Sequence, residues 1–304
     1  ITTGDNNTAF GYLASRVITT GSNNVSVGAG GNLGANTTGA NNTALGYASL
    51  GANTTASNNI AVGLSALGAN TTGSLNTAVG FEALLTNTTA SHNTGYGFKA
   101  LRLNTTGSSN IAVGSDSLAV NTTGSKNTAI GYESLRSNTT ASNNTAVGRE
   151  ASASNTTGGD NTGVGFSALY TNSTGYRNTA VGKDALSGNT TASNNTAVGK
   201  SSLQVNSTGA QNTAVGTGAL TANTTASNNT AIGYQSMDAN TTGANNTAVG
   251  INSLGANTTG QSNVAMGYHA AVSATTASNN VVIGFTAGHD LSTGSNNTFM
   301  GTEA

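Results

Sequence analysis

The sequence predicts an all-β chain folded as a parallel β-solenoid, or β-roll, of about eighteen 17-residue coils, and three observations carry that expectation. A glycine returns every 17 residues from Gly46 through Gly63, Gly80, Gly97, Gly114 and Gly131 to Gly301, and upstream through Gly28 and Gly11 with one 18-residue step. Two asparagine columns keep the same phase: Asn76, Asn93, Asn110, Asn127 and Asn144 stand four residues before their glycines, and Asn53, Asn70 and Asn87 belong to a second column lost only at Ala274 and Leu291. Residue type is tied to column throughout, which a disordered polar tract does not require. A fixed short period of this kind is the signature of stacked coils. One domain, 1–304, is therefore expected, with looser first coils over 1–45 and regular repeats over 46–301.

Taken in order, the coil opens with Asn-Thr-Ala-Val-Gly, as at Asn76 to Gly80. Side chains alternate along a strand, so Thr77 and Val79 share one face and Ala78 the other. We take Val79 as the interior residue of this segment, so that Val147→Asp is expected to disrupt the local coils. The repeat glycine, a variable residue (Tyr47, Phe81, Tyr132) and a polar one (Glu82, Lys99, Asp184) follow. A small residue and Leu84 or its equivalent then read as an inward corner and a core plug. A second strand is expected at Asn-Thr-Thr, where β-branched Thr favours extended backbone. Identical Asn side chains stacked at roughly 4.8 Å make hydrogen-bonded ladders. The extra residue of the 18-residue step falls in Ala29–Leu33, where Gly30 and Gly31 tolerate a bulged corner. At one coil per rung the eighteen coils imply a rod of about 85 Å.

Composition closes off several functions. The formal net charge is −1 and only 6% of residues are charged, so there is no clustered Lys and Arg to neutralise phosphates. No apolar run approaches the roughly 20 residues of a membrane span. Cysteine is absent, which removes disulfides and thiolate metal sites. His92, His269 and His289 fall in different columns, so no catalytic constellation, cofactor or metal is expected. Aspartate is never periodic, unlike a calcium-loaded roll. Gly28-Ala29-Gly30 lacks the lysine of a phosphate loop.

Asn76-Thr77-Ala78-Val79-Gly80 and Asn127-Thr128-Ala129-Ile130-Gly131 resemble the head repeat of trimeric autotransporter adhesins, Asn-Ser-x-Ala-Ile-Gly-x-x-Ala. The longer wording from Gly131 to Gly148 also looks like repeats of bacterial and phage tail-fibre-like surface proteins. The resemblance covers essentially the whole chain. It implies a left-handed roll, three chains side by side, and attachment to surfaces.

The expected function is thus a structural fibre or adhesin segment, extracellular, on a cell surface or on a virion. Its partners are copies of itself, as a trimer or as an end-to-end filament, and a host-surface or glycan ligand. A core of two side chains per coil is small beside the entropy of ordering seventeen residues, which also favours a further buried face. Because the chain starts at Ile1 without methionine and stops part-way into a repeat, it reads as processed or as an excerpt of a longer array. The alternative is an ice- or glycan-binding solenoid that uses Thr71, Thr88, Thr105 and Thr122 with Tyr47, Phe81 and Tyr132. Asn53, Asn70 and Asn87 begin Asn-Thr-Thr sequons, and glycans there require those side chains to point outward.

Overall fold

A computed structural model describes residues 3–304, leaving Ile1 and Thr2 outside the described residues. The chain divides into two compact units, Ile1–Glu150 and Ala151–Ala304. Unit 1 holds nine three-residue strands: β1 (Thr8–Phe10), β2 (Val25–Val27), β3 (Thr43–Leu45), β4 (Ile60–Val62), β5 (Thr77–Val79), β6 (Thr94–Tyr96), β7 (Ile111–Val113), β8 (Thr128–Ile130) and β9 (Thr145–Val147). Each pairs in parallel with the next, one repeat on, as Thr77↔Thr94 and Val79↔Tyr96. The register is kept across the longer step, where Val25 meets Thr43. Unit 2 repeats the scheme with β10 (Thr162–Val164), β11 (Thr179–Val181), β12 (Thr196–Val198), β13 (Thr213–Val215), β14 (Thr230–Ile232), β15 (Thr247–Val249), β16 (Val264–Met266), β17 (Val281–Ile283) and β18 (Thr298–Met300). There is no helix among the described residues. Each unit is a parallel β-solenoid.

The strand is short because the repeat glycine ends it. That glycine has φ between +125° and +146° in every coil, a region closed to side-chain-bearing residues. The corner then alternates its donors. Glu82 N–H reaches back to Leu64 O at 2.9 Å, and Leu84 N–H reaches forward to Ala100 O at 3.0 Å. Both residues are left-handed, with φ of 53° and 52°. Stacking on two neighbouring coils holds a leucine in a conformation it adopts rarely on its own.

Two expectations need correction. The strand's interior residue is the alanine: Ala78, Ala129 and Ala146 are fully buried, whereas Val79 and Val147 are half-buried on the outer face. Each coil is too narrow to take a branched side chain opposite Leu. A Cβ built on Gly95, the equivalent of Ala78 one coil on, meets Leu84 Cγ at 3.4 Å. The core is therefore Ala78, Ala83 and Leu84 in each such coil. The second correction concerns Asn-Thr-Thr, which is a bend and not a strand. Thr71 N–H and Thr72 N–H both converge on Thr88 O, at 2.9 and 3.3 Å. A strand would direct successive N–H groups to opposite sides.

Volume is traded across the core. Leu254 faces the coil of Ala265, but later coils pair Ala271 with Val282 and Gly288 with Phe299. A Cβ on Gly288 would sit 3.6 Å from the Phe299 ring and 3.0 Å from Val282. Such exchanges keep the core filled. At the longer step Gly30 and Gly31 adopt φ of 71° and 80° as expected. Asn32, buried there, ties Ser26 to Ser49 through bonds of 2.9 Å on each side.

From this geometry Val79→Asp lowers stability by no more than about 1 kcal/mol, as for other outward positions. Ala146→Leu costs about 1–3 kcal/mol by overpacking. Melting curves of the two variants, followed by far-ultraviolet circular dichroism, check this, and the reverse order would restore valine to the interior.

Candidate functional surface

The asparagine columns are the interior's polar skeleton. Asn76, Asn93, Asn110, Asn127 and Asn144 are buried. In this column the side-chain oxygen accepts from the backbone of the next coil: Asn93 N–H to Asn76 Oδ1, Asn110 N–H to Asn93 Oδ1 and Asn127 N–H to Asn110 Oδ1, each at 2.9 Å. Asn76 Nδ2 donates to Ala90 O at 2.9 Å. The second column is linked side chain to side chain, Asn70 Nδ2 to Asn53 Oδ1 and Asn87 Nδ2 to Asn70 Oδ1, both 3.0 Å. Asn53, Asn70 and Asn87 are fully buried, so the outward orientation that glycans require is absent from the folded coil. A buried amide needs its partners, and this column supplies them from within.

One interruption tests the ladder's logic. Asn257 donates to Asn240 Oδ1 at 2.8 Å, but its own Oδ1 is buried without a partner. The donor expected one coil on is missing because residue 274 is alanine. Ala274→Asn restores it and raises stability by about 1 kcal/mol. A melting temperature unchanged or lowered in that variant counts against the ladder as a stabilising device.

The sequence-derived surface residues divide. Thr71, Thr88, Thr105 and Thr122 are half-buried, and their hydroxyls donate to the next coil, as Thr71 Oγ1 to Thr88 O at 3.0 Å and Thr105 Oγ1 to Thr122 O at 2.9 Å. Their chemistry is spent inside the stack. The exposed threonine is the one after each, Thr72, Thr89, Thr106 and Thr123. Three serines in the first column, at 173, 207 and 292, were the available signal: only a position that needs a hydroxyl alone admits them.

Tyr47, Phe81 and Tyr132 are exposed as expected. Phe81 stacks on Phe98 with centroids 5.4 Å apart, and Arg149 lies 5.7 Å over the Tyr132 ring. The Tyr132 hydroxyl is pushed above its ordinary pKa by its hydrogen bond to Glu133 and then by that carboxylate's charge. Ion pairs beside this column, such as Arg102 to Glu82 at 2.8 Å, are partly exposed and contribute little.

Asp238 differs, because partial burial raises its carboxyl above its ordinary value. The fold then favours the protonated form, so stability falls as pH rises from the ordinary carboxylate value through the raised one. Asp238→Asn accordingly raises the melting temperature at neutral pH, with the gain vanishing below the carboxylate range. A gain that persists in acid contradicts this.

Among the described residues no three or more His, Cys, Asp or Glu side chains converge. The cavity beside Phe299 is lined by Gly288, His289, Asp290, Leu291 and Glu303, and its paired groups are the sequence neighbours His289 and Asp290, 2.9 Å apart. What repeats is surface. The outer face of the strands carries Thr, Val or Ile at its first position and an uncharged, mostly aliphatic residue at its third, in every coil. Neither a family model nor a curated protein matches the chain.

Proposed function

We propose that this chain is a structural segment of an extracellular fibre, borne on a cell surface or virion, that assembles with copies of itself and attaches through its sides. The observation that carries the reading is the uncharged outer strand face. In unit 1 it exposes Leu45, Tyr96 and Ile130, and in unit 2 Ile232 and Met266. A continuous file of such residues exceeds the scattered apolar exposure of a monomeric surface. A second copy covers it without desolvating a charge. The resemblance to autotransporter adhesin heads makes a trimer the arrangement to test first and an end-to-end filament the second. Any host-surface or glycan ligand is met by the exposed aromatic column of Tyr47, Phe81 and Tyr132, whose rings present flat apolar faces.

Sedimentation equilibrium and electron microscopy of the full chain test this reading. Trimers or filaments that dissociate on Ile130→Lys and Ile232→Lys support it. A chain that stays monomeric at high concentration, with unaltered behaviour in the lysine variants, removes self-assembly and the fibre with it.

A further inference from the structure

We infer that the second threonine of each Asn-Thr-Thr bend forms a binding array for the surface of ice. This goes beyond the fibre reading and rests on different residues. The column runs Thr3, Thr20, Thr38 and then every 17 residues to Thr293, and every member is exposed. Nine of these threonines lie in each unit.

Two other columns of the same protein serve as internal controls. Where the hydroxyl alone matters, as at Thr71, serine substitutes, and Ser173 Oγ donates to Thr190 O at 3.0 Å in the same way. Where β-branching alone matters, at the first strand position, Thr gives way to Ile60, Ile111, Val264 and Val281. The second threonine of the bend does neither. It is never Ser and never Val, so both the hydroxyl and the methyl group are retained. Yet among the described residues no hydrogen bond from its hydroxyl joins one coil to another. Both groups face solvent, and their use lies there.

The partner follows from the array. One hydroxyl and one methyl per coil, with no charge and no cavity, are too little to hold a discrete molecule. Many weak contacts on a rigid scaffold become strong together only against a partner of matching period. Threonine is stiff at χ1, so little freedom is lost when the array is engaged. Coils stack at about 4.8 Å. Water hydrogen bonds of about 2.75 Å place second neighbours of a tetrahedral lattice about 4.5 Å apart. The mismatch of about 0.3 Å per coil amounts to about half a lattice spacing across nine threonines. Aligned at its middle, a nine-threonine file departs from the lattice by only about 1.2 Å at either end, within reach of successive lattice sites. The hydroxyl replaces a lattice water, and the methyl sits where ordered water already avoids bonding to the surface. A crystalline polysaccharide is also periodic, but the file has no aromatic platform of its own for sugar rings.

The test is partition of the fluorescently labelled full chain into slowly growing ice, with ice-recrystallisation inhibition as a second readout. The parent protein is expected to enter the ice. A variant carrying Thr72→Lys, Thr89→Lys, Thr106→Lys and Thr123→Lys, together with Thr191→Lys, Thr208→Lys, Thr225→Lys and Thr242→Lys, is expected to partition about tenfold less through loss of multivalency. Its dichroism should match the parent, and since like charges stacked one coil apart lower its melting temperature, partition is read well below that temperature. Thr77→Val, Thr128→Val and Thr196→Val, on the strand face, serve as the matched control and should partition like the parent. Exclusion of the parent protein from ice overturns the inference, as does equal loss in the strand-face control. Binding to cellulose or chitin crystals without binding to ice also overturns it. Since assembly is read separately by sedimentation, failure here leaves the fibre reading standing, and failure of the fibre reading leaves this one.

Discussion

Gly131→Ala lowers the stability of the stack by about 3–5 kcal/mol, the sum of a left-handed backbone penalty and a clash that the surroundings cannot relieve. Its φ is +131°, and an added Cβ would stand 2.5 Å from Gly148 O and 2.6 Å from Gly148 C. Both atoms are backbone of the adjacent coil, which is itself fixed by Gly148 N–H to Ile130 O at 2.8 Å. No flexible side-chain end is available to move aside. In a stacked repeat each coil is stabilised by its two neighbours, so a coil forced out of step opens the stack locally. Thermal melting combined with amide hydrogen exchange reads both consequences: a lowered midpoint, and protection lost around Gly131 before the coils near Gly46. Gly68→Ala is the control. Gly68 belongs to a column that elsewhere holds Leu85 and Arg102, and its added Cβ would come no nearer than 3.1 Å to any atom. If the two variants melt together, the repeat glycine is dispensable and its periodicity has another cause.

The same glycine shows what the sequence made legible. Its period set the coil length, the strand register and the number of rungs. Leu84 read as the core plug and is buried, because Leu in a fixed column beside Ala or Ser has no other economical place. The parity of the strand was not legible in the same way. Alternation says that Thr77 and Val79 share a face, but not which face is inside, and the greater hydrophobicity of valine pointed the wrong way. The deciding clue lay in size. The column of Val79 also admits Phe10, Tyr96 and Met300, a spread that a coil as narrow as this cannot enclose, whereas the column of Ala78 enlarges to Val282 and Phe299 only where its partners shrink to Ala271 and Gly288. The left-handed leucines were beyond sequence rules altogether. Glycine and asparagine announce positive φ, and the column of Asn58 and Asn143 does so at φ of 60° and 62°. Leu84 reaches φ of 52° because tertiary stacking overrides local preference.

Removing single asparagines from the two ladders distinguishes how each one works. Asn76→Ala strands one buried backbone group, Asn93 N–H, and takes one of two donors from Ala90 C=O, which keeps Asn87 Nδ2, so a loss of about 1–3 kcal/mol is expected. Asn70→Ala likewise breaks its bonds to Asn53 Oδ1 and to Gly73 O and takes one of two acceptors from Asn87 Nδ2, which keeps Ala90 O. The single losses are similar, and the double variants separate the ladders. In the first column the bond runs from the backbone of Asn93 to the side chain of Asn76, so Asn93→Ala leaves it intact, and the losses of Asn76→Ala and Asn93→Ala add. In the second column the bond runs between the side chains of Asn53 and Asn70, and either single substitution leaves one donor or acceptor of the other amide unpaired. Replacing both removes donor and acceptor together, so the double loss falls short of the sum by about 1 kcal/mol. Denaturant titration of the two double-mutant cycles checks the contrast. A coupling energy of the same size in both cycles would mean that the losses come from cavities in the core rather than from the hydrogen bonds, since Asn93 bonds Asn76 through its backbone and not through the side chain that the substitution removes.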